Sequence, residues 1–142
     1  RLGIMASILK VNTFTGASTA GSIAVTGEGN STTTNLQQGL VKCWINYTGI
    51  STTAERDSFN VTSLTDEGTG KTTITIANDM ANANYSGYYY TNADANTAYT
   101  NFANGHTGGF GGFATGSFKN NAYSSTDVDS FQNLSGILGD LA

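Results

Sequence analysis

The clearest pattern of apolar and polar positions lies between Leu40 and Tyr90, where it repeats at every second residue. That period marks β-strands with one face buried. Val41, Cys43, Ile45 and Tyr47 fall on one side of such a ribbon, and Lys42 and Asn46 on the other with Trp44 between them. The alternation resumes at Phe59 and Val61 and runs through Leu64 into Asp66-Glu67-Gly68-Thr69-Gly70. Beyond that turn Thr72, Ile74 and Ile76 alternate again. Two alternating runs joined by a short glycine-rich turn predict a β-hairpin, because glycine reaches the positive φ values that such turns require.

The same reading extends along the chain. Asn78 to Asn84 is a polar turn with Met80 plugging the rim of the core. Asn84 to Thr91 is a strand with Tyr85, Gly87 and Tyr89 on one side and Tyr88 and Tyr90 on the other. Aromatics on both faces imply that both are covered or that one meets another copy. Asn92 to Asn104 reads as a loop anchored by Tyr99 and Phe102. In the segment from Asn104 to Phe118, glycines alternate with Phe110, Phe113 and Phe118 and lower the strand propensity. It is expected to be exposed and irregular, its phenylalanines packing on the sheet or on a neighbour. Asn120-Asn121 reads as a turn, followed by closing strands at Ala122 to Ser125 and Ser130 to Leu138. A helix from Ser130 is the alternative, with Phe131, Leu134 and Leu138 at helical spacing, but Gly136 weakens it.

Before the central stretch, Ser7 to Thr13 alternates weakly, and Thr15 to Thr34 is rich in Gly, Ser and Thr with too little apolar surface for a core of its own. Residues 1–38 are therefore expected to form an arm for assembly or attachment. Ile8, Val11, Phe14, Ile23 and Val25 favour an arm that orders by pairing with a neighbouring subunit over a flexible one. Residues 39–142 are expected to form the folded domain. With many short strands and no convincing long helix, the chain is expected to be all-β: an antiparallel β-sandwich or small barrel with an extended N-terminal arm.

Composition changes this picture in one respect. Only 11% of the 142 residues are charged, against roughly a quarter in an ordinary soluble domain. The surface must then be rich in hydroxyls and amides, which suits copies packed side by side because few charges have to be desolvated. The net charge is −4 with no basic cluster, so nucleic acid is not an expected partner. No apolar run is long enough to span a bilayer as a helix, and no membrane partner is expected. Cys43 is the sole cysteine and reads as a small buried hydrophobe.

Candidate chemistry is sparse. Gly70-Lys71-Thr72 resembles the end of a phosphate-cradling loop, but Thr65 stands where that loop needs glycine, and a strand rather than a helix follows. His106 is the only histidine; without cysteines at ligand spacing it makes no structural zinc site. Asp127 and Asp129 would share a face of a strand, yet an Asx turn explains them better. Glu55-Arg56-Asp57 reads as a surface charge cluster before a strand. No cofactor, metal or catalytic residue is expected, and the sequence argues against an enzyme. What remains is a set of rings amid Asn, Gly and Thr: Trp44, Tyr88, Tyr90, Tyr99, Phe110 and Phe113. Rings stack on sugar faces and amides bond to hydroxyls, so these are candidates for binding a glycan. Core or subunit packing is the competing use.

Several segments together resemble tail-fibre and related appendage proteins of marine tailed bacteriophages. Met5 to Val11 (MASILKV) is similar to the opening of such proteins. Val41-Lys42-Cys43-Trp44-Ile45-Asn46-Tyr47, Arg56-Asp57-Ser58-Phe59-Asn60-Val61, Thr65 to Gly70 and Asn82-Ala83-Asn84-Tyr85 resemble, in order and spacing, a module near the C-termini of these fibres. The chain departs from that pattern at Met80-Ala81, where Met-Pro is expected, and in the Gly-Phe segment after Asn104. The resemblance implies a β-rich virion protein assembled as a homo-oligomer, most often a trimer. The arm is then expected to attach to other virion proteins, and a carbohydrate-binding module that reads a host surface glycan is the alternative reading. A short fibre, a head fibre and a capsid decoration protein fit it equally, since the long repetitive shaft of a full fibre is missing from this sequence.

Overall fold

A computed structural model of the chain describes residues 9–17, 23–27, 29, 31–92, 107–123 and 129–142. The chain divides into two compact units, Arg1–Leu36 and Gln37–Ala142. In the first, β1 (Ala24–Thr26) and β2 (Thr33–Asn35) pair antiparallel, closed by Gly27 N donating to Thr32 O and Leu36 N to Ile23 O. The weakly alternating run before them forms no strand among its described residues, 9–13. Leu9, Phe14 and Val25 are 73%, 61% and 52% exposed, so the arm buries little of its own apolar surface. One helical turn, α1 (Leu36–Gly39), follows.

Among the described residues the second unit holds eight strands: β3 (Val41–Thr48), β4 (Ala54–Phe59), β5 (Val61–Gly68), β6 (Lys71–Ile76), β7 (Ser86–Asn92), β8 (Thr107–Ala114), β9 (Ser117–Tyr123) and β10 (Gln132–Leu138). They form two antiparallel sheets, β4-β3-β10-β7 and β5-β6-β9-β8. The sheets pack face to face as a sandwich; no barrel closes. The core is what the alternation predicts. Cys43, Ile45 and Tyr47 point inward from β3, Ile74 and Ile76 from β6, Phe118 from β9 and Ile137 from β10, all 3% exposed or less. Met80 closes one end of the sandwich through a single bridge to Leu141.

Several expectations give way. Phe59 and Val61 do not continue one strand. The chain changes sheets at the single residue Asn60, which adopts a left-handed φ of 60°. Its side chain ties the corner together: Nδ2 donates to Lys42 O and Asn78 O, and Oδ1 accepts from Asn78 N and Nδ2. The switch turns Phe59 outward and leaves it 53% exposed. The Gly-Phe segment is not irregular but the hairpin β8–β9, bulged where Gly112 takes a φ of 60°. On β8 the outward positions Gly109 and Gly111 are glycines while Phe110, and Phe118 on β9, face in, so the alternation persists with little propensity behind it. Asn120-Asn121 is no turn; both lie within β9, and Asn120 is 1% exposed. Gln132–Leu138 is a strand rather than a helix, because it is hydrogen-bonded on both sides, to β3 and β7. Glu55-Arg56-Asp57 lies inside edge strand β4, at a register shift. Arg56 Nη2 donates to Phe131 O, and the guanidinium sits 4.3 Å from the Phe131 ring centroid. Lys42, expected on an open face, is 4% exposed. Its Nζ donates to the carbonyls of Gln37 and Leu40, and burial lowers its pKa against the opposing pull of Asp140. Val41 is instead 38% exposed, next to the bulge that pairs it with Leu138.

Candidate functional site

The interior is polar at the end opposite Met80. Asn120 Nδ2 donates to Tyr47 Oη and to Ser135 Oγ, both at 3.1 Å. Tyr89 Oη and Thr91 Oγ1 donate to Asn133 Oδ1 at 2.6 and 3.1 Å. Burial pushes the Tyr47 and Tyr89 phenols up and pushes the Cys43 thiol up to about 12. In each case desolvation is the largest cause, the mark of a core group rather than an activated nucleophile. Ser130 Oγ is buried and has no protein partner. It lines a cleft with Tyr47, Gly49, Thr53, Gly70 and Asp129 that offers about 10 Å³, the space of one water. Asp129 Oδ1 there accepts from Gly70 N at 2.8 Å. Among the described residues no three His, Cys, Asp or Glu side chains gather as metal ligands, and no helix is long and apolar enough to cross a membrane. His106 and Asp127 lie outside the described residues.

The outer face of the β4-β3-β10-β7 sheet is different. Strand register sets Phe59, Trp44, Gly136 and Tyr88 side by side in one row across all four strands. Asp57, Asn46, Leu134 and Tyr90 form the next row. Trp44 and Tyr90 are half-buried, and Tyr88 is 50% exposed. Gly136 explains the posture of Tyr88. A Cβ at that position would stand 2.5 Å from Tyr88 Oη and 2.6 Å from its Cζ. The phenol therefore lies across the bare backbone toward Trp44 and buries the glycine beneath it.

Three of the six candidate rings, Trp44, Tyr88 and Tyr90, thus share one face. Phe110 and Phe113 do not join them. Phe110 packs against Phe118 with centroids 5.2 Å apart, and lies where a Cβ of Gly87 would go, closing the sandwich between β7 and β8. Phe113 packs edge-on against Tyr85 at 5.1 Å and is 39% exposed. Tyr99 lies outside the described residues. Phe59, Leu134 and Gly136 belong to the face and are not among the rings the sequence singles out. Phe59 is hidden by the sheet switch at Asn60, and a glycine gives no sign of the ring it accommodates.

Comparison with protein-family models, with curated proteins and with solved structures found no match for the chain. Any statement of function therefore rests on the residues and their geometry.

Proposed function

We propose that this chain is a structural protein of a bacteriophage virion, in a tail fibre or similar appendage. In this reading the sandwich assembles as a homo-oligomer, a trimer by the resemblance, and residues 1–38 attach it to other virion proteins. The observation that carries the reading is the apolar surface around the Met80 end of the sandwich. Leu40, Val41 and Phe113 are exposed there to 53%, 38% and 39%. In a chain with so few charges, such a rim is better covered by sister copies than by water. The four segments that resemble the C-terminal fibre module support the reading too. They fall on β3, on β4 with its Asn60 corner, on the β5–β6 hairpin and on the lead into β7, which are framework positions rather than a reaction centre.

The test is the mass in solution. Sedimentation equilibrium of the 142-residue chain is expected to give three times the 14.7 kDa chain mass. The double variant Leu40→Glu, Phe113→Glu is expected to fall to one chain. A wild-type monomer at micromolar concentration, or labelled antibodies that find the protein nowhere on a particle, would overturn the reading.

A further inference from the structure

We infer that the outer face of the β4-β3-β10-β7 sheet is a binding platform for a neutral oligosaccharide, with Trp44 and Tyr88 as the stacking rings. Side chains on a strand stand roughly perpendicular to the sheet. A tyrosine held that way presents its edge to solvent and interdigitates with a protein partner. Tyr88 instead lies flat, because Gly136 beside it has no side chain, and its phenol stands within 2.6 Å of where a Cβ would be. A flat exposed ring offers its electron-rich face, which attracts the weakly positive C–H groups on one side of a pyranose. Trp44 is on the opposite flank of the same glycine, in the same register row, and Phe59 extends the row to the sheet edge. Strand spacing makes the row about 14 Å long, enough for a short oligosaccharide.

The neighbouring row supplies what a sugar rim needs. Asn46 and the exposed Asp57 are in register one row along. An amide and a carboxylate beside rings suit the alternation of C–H face and hydroxyl edge on a hexose. The interior of a protein–protein contact is, by contrast, depleted of charge. Charge also narrows the ligand class. The carboxylate of Asp57 flanks the face on a chain of net charge −4. The nearby cations are engaged elsewhere: Arg56 is turned onto Phe131, and Lys42, two residues from Trp44 on β3, is buried with its Nζ on the carbonyls of Gln37 and Leu40. Uronic and sialic acids would be repelled; neutral hexoses would not.

Trp44 is the only tryptophan in the chain, so its emission reports on this face alone. The full chain is titrated with neutral gluco-, manno- and galacto-configured oligosaccharides while that emission is followed. At least one series is expected to give a saturable change. Tyr88→Ala, and Gly136→Ala, which lifts the ring without removing it, are each expected to weaken binding about tenfold, as loss of an aromatic anchor does. Thr75→Ala, on the opposite outer face, is expected to bind as wild type. The proposal is overturned if no neutral sugar gives a saturable response, or if Tyr88→Ala binds as well as wild type. It is also overturned if Tyr88→Ala changes the sedimentation mass, because the face then belongs to a subunit contact. A wild-type monomer would refute the oligomer reading and leave this one standing, so the two fail separately.

Discussion

Asn60 is the residue whose replacement most directly tests the account of the fold. Between β4 and β5 it is the single residue that carries the chain from one sheet to the other, at a φ of 60°. An alanine there would face the left-handed penalty of about 1 kcal/mol, from which asparagine is partly exempt. It would also remove four hydrogen bonds, of 2.9, 3.2, 2.8 and 2.9 Å, to Lys42 and Asn78. Each is worth about 1 kcal/mol net, and water replaces those on the exposed side, so about 2 kcal/mol of bonding is lost. Asn60→Ala is therefore expected to destabilise the sandwich by about 3 kcal/mol. Asn60→Gly removes the same bonds but accepts the φ, so it is expected to recover about 0.5–1 kcal/mol of that loss and no more. The assay is urea unfolding followed by the emission of Trp44, which lies opposite Phe59 at the start of the corner. A shift in midpoint at constant slope reads the stability difference. If Asn60→Gly matches wild type, the side-chain bonds contribute nothing and the corner is only a matter of φ. If Asn60→Ala loses less than about 1 kcal/mol, neither part of the argument survives.

Two further outcomes follow from the interior. The folded Cys43 thiol is raised from 9.0 to about 12, so folding favours its protonated form. Its contribution is constant below pH 9 and is lost as pH rises toward 12, at about 1.4 kcal/mol per unit. Urea midpoints measured from pH 8 to 11 are expected to fall less steeply in Cys43→Ala than in wild type, the tyrosines Tyr47 and Tyr89 adding their own loss above pH 10 in both; equal slopes would count against a buried thiol. Gly87→Ala would drive a methyl into Phe110 and to 2.8 Å from Gly136 O. A loss of about 2 kcal/mol is expected from that overpacking, and thermal melting checks it against Gly136→Ala. The latter meets only the tip of an exposed tyrosine and is expected to stay within about 0.5 kcal/mol of wild type.

What a sequence reveals here depends on which side of the strand carries the signal. β3 and β6 are legible because apolar inward residues alternate with polar outward ones. β8 and β9 are hard to read because glycines occupy the outward positions of β8 and asparagines stand within β9. Asn120 resembles a turn residue, yet it lies buried and bonds to Tyr47 and Ser135. No local rule distinguishes an amide that turns the chain from one that satisfies a polar core. The same limit applies to the candidate site. Alternation places Tyr88 and Tyr90 on a common face, but their alignment with Trp44 depends on β10 inserting between β3 and β7. That pairing joins residues more than forty positions apart along the chain. Tyr99 and His106 lie outside the described residues.

The two outer faces of the sandwich bring the functional argument to a point. Folding fixes the inward residues of both sheets and asks little of the outward ones. On the β5-β6-β9-β8 sheet the outward rows are Thr65, Thr73, Lys119 and Gly111, Ser63, Thr75 and Ser117, and Lys71, Asn121 and Gly109, with Tyr123 the one exposed ring among them, at the end of β9. An ion pair of 3.6 Å between Lys119 and Glu67 sits among them, the composition of a solvated surface. On the other sheet the equivalent row is Phe59, Trp44, Gly136 and Tyr88. A cross-strand aromatic pair stabilises a sheet by about 0.2–1 kcal/mol, and threonine pairs stabilise it comparably. Stability alone therefore gives no reason for one face to carry a row of rings and the other a single ring among hydroxyls, amides and glycines. Exposed rings also carry a standing risk of association. The asymmetry is best explained by a partner for the ringed face, and Tyr88 lying flat on Gly136 suits a thin, flat partner better than an interdigitating one.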